Sequence, residues 1–170
     1  MPAYIALLRA LNLMGTRGLP MTDLKTLCED LGFKSVRTWI ASGNVVLQSR
    51  KSESAVKSIL EAALSRRMGR PVGVLVRTAP EIAAVLAANP FPASHNSHVM
   101  AIFLDTPPAV GCLTALKNHT KEELRLGLRE IYVHYPDGQG QSRLIIPALK
   151  HGTARNMNTI AKLAQMAAEL

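Results

Sequence analysis

The chain has 170 residues, which is enough for one ordinary domain or for two small ones. Hydrophobic residues make up 48% of it and charged residues 19%, and this balance excludes an intrinsically disordered chain. No apolar run reaches the ~18 residues of a membrane span, and the apolar N-terminus lacks the basic segment and cleavage site of a signal peptide. We therefore expect a cytoplasmic protein that does not associate with a membrane.

The chain is basic, with a formal net charge of +8. A basic domain can bind nucleic acid or another polyanion. The charges are dispersed, however, and the densest cluster is Arg66, Arg67 and Arg70 at the end of a predicted helix. Positive charge there also stabilises the carbonyl end of the helix, so the cluster does not by itself indicate a nucleic-acid surface.

The first half of the chain shows a regular order of predicted elements. In chain order these are a strand at 3–11, a helix at 20–32, strands at 36–40 and 45–48, a helix at 53–68 and a strand at 72–77. Between the two middle strands, Gly43 and Asn44 can supply the positive φ angles of a tight hairpin turn. The order βαββαβ predicts a ferredoxin-like subdomain over residues 1–77.

The second half, residues 78–170, is predicted to be a smaller α+β subdomain that packs tightly against the first. Thr78 to Glu81 form a capping box for a helix that runs to about residue 88. The remaining elements are a strand at 99–104, a short helix after Pro108, strands at 124–126 and 130–135, a glycine-rich loop at 136–141, a short helix capped by Ser142 and a last helix capped by Asn156.

Three segments carry a family resemblance. They are Tyr4 to Arg9 with Asn12, the stretch Arg37-Thr38-Trp39-Ile40-Ala41-Ser42-Gly43-Asn44-Val45-Val46, and Arg155-Asn156-Met157-Asn158-Thr159. Together they resemble the bacterial domain-of-unknown-function family 1697, and the resemblance covers nearly the whole chain. It implies a two-part α+β fold whose first part is ferredoxin-like, and it implies no chemistry. The family usually has Trp where this chain has Met157.

The last of these segments is the most suggestive candidate site. Arg155, Asn156 and Asn158 lie at a predicted helix start, where free N–H groups and the helix dipole favour anions, and Lys162 follows one turn later. The alternative is structural: Asn156 caps the helix and Arg155 pairs with a carboxylate.

The polar residues of the first half form the second candidate set: Arg9, Asn12, Ser42 and Asn44. Arg9 stands out because a charge on an apolar strand must be paired or must face a cleft. The alternatives are an edge of a ligand pocket and an arginine that binds loop carbonyls. Ser42 and Asn44 also fit ordinary turn chemistry.

Other motifs give weaker indications. The loop Gly138-Gln139-Gly140-Gln141-Ser142 lacks the third Gly and the Lys of known phosphate-binding loops, although a phosphate could dock near Ser142. His95 and His98 could provide two metal ligands but no third is indicated, and the free thiols Cys28 and Cys112 have no metal or redox spacing. We therefore predict no metal and no cofactor.

Two functions from different classes remain open. The first is a binding protein for an anionic ligand, either a small molecule or nucleic acid. The second is a small-molecule enzyme or ligand-binding protein with a cleft between the two halves. The sequence identifies no catalytic residue and no oligomeric state.

Overall fold

The computed structural model describes residues 1–9, 18–39 and 43–170. The chain divides into two compact units, of which unit 1 is Met1–Ala83 with Leu163–Leu170 and unit 2 is Ala84–Lys162. Each unit contains one four-stranded antiparallel sheet. Within the described ranges, no helix is both long enough and apolar enough to cross a bilayer.

Unit 1 has the predicted ferredoxin-like fold. Its sheet order is β2-β3-β1-β4, with antiparallel neighbours throughout, which is the order of a split βαβ unit. The elements are β1 (Ala3–Arg9), α1 (Met21–Asp30), β2 (Lys34–Trp39), β3 (Asn44–Gln48), α2 (Glu53–Met68) and β4 (Gly73–Thr78). The α+β class and the ferredoxin-like first half are therefore confirmed.

The core of unit 1 lies between one sheet face and the two helices. Along β1, Tyr4, Ala6 and Leu8 point to this face because side chains alternate across a strand. They pack with the helix residues Leu24, Cys28, Val56, Leu60 and Leu64. Each large apolar side chain buried in this way contributes about 1.5–3 kcal/mol.

Local hydrogen bonds set the helix boundaries as the sequence predicts. The Thr78 hydroxyl accepts from Glu81 N, and the Glu81 carboxylate accepts from Thr78 N at 3.1 Å. This capping box begins α3 (Ala79–Ala87). The hairpin differs in one detail: Gly43 has φ +81°, but Asn44 already belongs to β3 and has no positive φ.

Unit 2 repeats the strand order of unit 1. Its strands are β5 (Val99–Phe103), β6 (Glu123–Leu126), β7 (Glu130–His134) and β8 (Thr153–Asn156), and the sheet order is β6-β7-β5-β8. Both sheets therefore follow one topology. In both, a helix begins directly after the last strand: α3 follows β4, and α4 (Met157–Ala168) follows β8. The unit boundaries fall within α3 and α4.

The two sheets differ in what connects their strands. Where unit 1 has α1 and α2, unit 2 has two irregular connections, residues 104–122 and 135–152, which contain only short 3₁₀ turns. These connections cover the face of the sheet that carries Ile102, Ile131 and Val133, and they do so with Leu113, Leu116, Leu144, Ile146 and Ala148.

Three expectations for the second half were wrong. Ser142 is extended and caps no helix, because the next helical segment is a 3₁₀ turn at Pro147–His151 that starts after extended Ile146. The short helix after Pro108 is a 3₁₀ turn at Cys112–Thr114. The strand β8 was missed, since its four residues are held in the sheet by pairing with distant β5 and have no alternating pattern of their own.

Candidate functional site

Arg155 lies in strand β8, ahead of the helix rather than on its first turn. The residue is only 7% exposed, and its guanidinium donates to Thr153 Oγ1 at 2.7 Å and to the Ala154 carbonyl at 2.9 Å. Burial lowers the pKa of Arg155 to about 10, so the side chain stays charged at neutral pH. These two hydrogen bonds of Arg155 are therefore made within its own strand.

The residues after Arg155 have different surroundings. Asn156 Oδ1 accepts from Thr159 N at 2.9 Å, which confirms that Asn156 caps α4. Met157 is fully buried, so this position, where the family usually has Trp, serves packing. Asn158 is exposed and Lys162 is half-buried. Only Asn158 of this segment presents a largely solvent-exposed side chain.

The two described candidates of the first half, Arg9 and Asn44, lie on the sheet face of unit 1 that is opposite α1 and α2. Arg9 is half-buried at the end of β1, and its side chain covers Gly73, where an added Cβ would lie 3.4 Å from Arg9 Cδ. Asn44 is fully buried, and its Nδ2 donates to the Trp39 carbonyl at 3.0 Å, which closes the hairpin. Asn12 and Ser42 lie outside the described residues.

The same face carries an arginine that sequence reasoning missed. Arg77 is fully buried, pairs with Ile5 across the sheet and donates to the Val76 carbonyl at 3.1 Å. Arg155 pairs with Ala101 at the equivalent position of the second sheet and likewise donates to the carbonyl of the preceding residue. The sequence feature that could have identified Arg77 is its charge, which is the only one in the otherwise apolar run 72–77. The equivalence indicates a structural role shared by both arginines.

The two irregular connections of unit 2 meet at one short bridge. Lys117 N donates to the Ile145 carbonyl at 3.1 Å, and Ile145 N donates to the Lys117 carbonyl at 2.9 Å. One pocket is lined by chain segments between these two residues, and a second by segments outside them. Both pockets are therefore lined by the irregular connections of unit 2.

The pocket lined by segments between Lys117 and Ile145, which we call the polar pocket, has a volume of about 410 Å³. It includes part of the glycine-rich loop at 136–141, which the sequence indicates as a weak candidate for phosphate binding. Its lining residues are Asn118, Thr120, Lys121, Glu122, Tyr135, Pro136, Asp137, Gly138, Gln141, Ser142 and Arg143. A cavity of this size is in the range that holds a small molecule.

Glu122 joins the two sides of the polar pocket. Its carboxylate accepts from Ser142 Oγ at 2.6 Å and from Thr120 N at 2.9 Å. The Ser142 bond, followed by the Thr120 backbone bond, lowers the pKa of Glu122 to about 2. Ser142, which sequence reasoning assigned to a helix cap or a phosphate, therefore holds a permanently charged carboxylate 20 residues away.

Several donors of the polar pocket are not used within the protein. The guanidinium of Arg143, the side-chain amides of Asn118 and Gln141, and the Tyr135 hydroxyl make no hydrogen bond or ion pair with any described residue. Burial, and secondarily the charge of Glu122, raises the pKa of Tyr135, which keeps its hydroxyl protonated and able to donate. The pocket thus combines one unpaired cation with neutral donors.

Comparison with known proteins identifies the family. Residues 1–132 match DUF1697, a family described as proteins of unknown function. The chain belongs to this family. A solved structure of a conserved bacterial protein from Streptococcus pneumoniae is similar to this chain, with a TM-score of 0.78, 20% sequence identity and 98% of each chain covered. At this identity the likeness shows a shared fold. No curated protein matches the sequence.

Proposed function

We propose that this protein binds a small ligand that carries one anionic group, and that the polar pocket of unit 2 is the binding site. The observation that carries the proposal is Arg143, an exposed arginine that lines the pocket and has no partner among the described residues. A guanidinium in a pocket matches a carboxylate or phosphate group, which it can hold through two parallel hydrogen bonds.

Three other cations of this chain have acidic partners. Arg37 lies 2.7 Å from Glu169, and Arg67 lies 3.4 Å from Asp23. Within the polar pocket, Lys121 lies 3.3 Å from Asp137. The charge of Arg143 is therefore the one in this pocket that is available to balance a ligand.

The negative residues of the pocket restrict the ligand to a single anionic group. Glu122 and Asp137 both line the cavity, and like charges in close contact disfavour binding. A polyphosphate chain would bring several charges against these carboxylates. A molecule with one anionic group at Arg143 and hydroxyl groups facing the neutral donors avoids this repulsion.

Preorganisation also supports a ligand site. The Ser142–Glu122–Thr120 hydrogen bonds tie the two connections together at the base of the pocket before any ligand arrives. A pocket whose walls are already fixed loses less conformational entropy on binding. Two alternative functions stay predictions. The first is nucleic-acid binding, which the net charge suggests. The second is an enzyme with a cleft between the two halves.

The experiment is a thermal-shift screen at constant ionic strength. The probes are monocarboxylates and phosphomonoesters of the sugar and polyol type, tested with wild type, Arg143→Gln and Arg66→Gln. Arg66 is exposed at the end of α2 and outside the pocket, so Arg66→Gln removes the same charge elsewhere. A ligand at about ten times its Kd adds about 1.4 kcal/mol, which for a chain of this size raises Tm by roughly 3–6 °C.

We expect at least one probe to raise Tm in wild type and in Arg66→Gln, and not in Arg143→Gln. Equal shifts in all three proteins would place the anion elsewhere. A shift produced only by mixed-sequence DNA, with steep loss of binding as salt increases, would replace this proposal by nucleic-acid binding.

A further inference from the structure

A second cavity of unit 2, which we call the apolar pocket, is lined by segments outside the Lys117–Ile145 bridge. Its volume is about 490 Å³. The residues that shape it include Pro107, Ala109, Cys112, Ala115, Pro147 and Ala148. None of them lines the polar pocket, so the two cavities are separate candidate sites.

The walls of the apolar pocket are made of small or rigid residues. Ala109, Ala115 and Ala148 leave space because their side chains end at Cβ, and Pro107 and Pro147 restrict the backbone on two sides. Apolar surface that a ligand removes from water in such a cavity contributes to binding in proportion to its area. The cavity is large enough for an aromatic ring with a short substituent.

Few polar groups line this cavity, and two of them are unengaged. The imidazole of His151 and the hydroxyl of Thr106 make no hydrogen bond with the described part of the chain. No lysine or arginine is among the lining residues, whereas the carboxylate of Asp105 is. The lining therefore disfavours an anion and offers hydrogen bonds to a neutral polar group.

We infer that the apolar pocket binds a small neutral molecule with an aromatic or branched apolar body and one hydroxyl group. The body occupies the space between the alanines and prolines, and the hydroxyl bonds to His151 or Thr106. This ligand differs in charge and polarity from the one proposed for the polar pocket. The two sites are therefore independent of each other, and each can fail without the other.

The chain carries a built-in reporter of occupancy. Cys112 lines the apolar pocket and is partly exposed, whereas Cys28 is fully buried in the core of unit 1. Burial raises the pKa of the Cys28 thiol to about 12, so this thiol does not react while the protein is folded. Alkylation of the native protein therefore reports on Cys112, and a ligand in the pocket shields it.

The experiment measures the rate of Cys112 alkylation by iodoacetamide with and without 2-phenylethanol. If the Kd is about 1 mM, ~10 mM ligand leaves about one-eleventh of the sites empty and slows the reaction about tenfold. Phenylacetate, which has the same ring with an anionic group, should protect much less. Ala115→Phe and Ala109→Phe each fill the cavity from an exposed position, and exposed Ala93→Phe is the matched control.

We expect 2-phenylethanol to protect wild type, Ala93→Phe and Arg143→Gln equally, and to protect neither pocket-filling variant. Protection that persists in both pocket-filling variants would show that the alcohol acts elsewhere. An unchanged alkylation rate in wild type at ~10 mM ligand, or equal protection by phenylacetate, would overturn the inference.

Discussion

The Ser142–Glu122 hydrogen bond gives the sharpest test of how unit 2 is held together. Ser142→Ala removes the 2.6 Å bond to a charged carboxylate and leaves the Thr120 backbone bond in place. Hydrogen bonds to charged groups contribute about 1.5–3 kcal/mol. Because the pocket is open to water, we expect a loss near the lower end, about 1–2 kcal/mol at pH 7.

The effect must depend on pH in a definite direction. The pKa of Glu122 is lowered from 4.5 to about 2 in the folded protein. A carboxyl group with a lowered folded pKa stabilises the protein above its unfolded pKa, and this contribution is lost as the pH falls from 4.5 towards 2. The cost of Ser142→Ala should therefore be largest at pH 7 and should shrink as the pH approaches 3.

Urea denaturation of wild type and variant at pH 7, 5, 4 and 3 measures this cost. The control is Ser65→Ala, since Ser65 Oγ accepts from the neutral Val72 N at 3.0 Å and its loss should cost the same at each pH. A cost of Ser142→Ala that is the same at pH 7 and pH 3 would refute the idea that a hydrogen bond to a charged carboxylate helps to join the two connections.

Two further substitutions test the fold of unit 2. Gly152→Ala should cost about 1–3 kcal/mol, because an added Cβ would overlap the Phe103 carbonyl oxygen. The control Gly140→Ala should cost little, because no atom lies within 4 Å of its new Cβ. Similar thermal midpoints for the two variants would contradict the close approach at Gly152. Asn156→Ala should cost about 1 kcal/mol through loss of the α4 cap, and chemical denaturation should show almost no cost for exposed Asn158→Ala. Equal costs for the two amides would mean that capping is not the role of Asn156.

The two sheets show that one strand order can be connected in two different ways. In unit 1 the connections after β1 and β3 are helices that pack closely on the sheet. In unit 2 the corresponding connections are irregular, and they bury the same face with fewer large side chains while leaving two cavities. Scaffolds that hold irregular segments in this way commonly carry binding sites on those segments.

The sequence by itself determined those features that depend on neighbouring residues. Helix α2 begins at a Ser52 cap and ends at Gly69 with φ +69°, and both signals lie within one turn of the boundary they set. The Thr78–Glu81 box and the Asn156 cap are equally local. The βαββαβ order of unit 1 follows because each of its elements has a strong periodic pattern of apolar residues.

Only the tertiary structure decided the features that join distant segments. Strand β8 exists because Ala101 pairs with Arg155 across more than fifty residues, and four residues such as Thr153–Asn156 have too little intrinsic preference to form a strand alone. The Glu122–Ser142 bond and the Lys117–Ile145 bridge likewise join separate connections. The sequence therefore directed attention to Arg155, whereas the fold buries that guanidinium and places Arg143 in a pocket with no partner among the described residues. Burial depends on which distant side chains cover a residue, and local patterns carry no information about that.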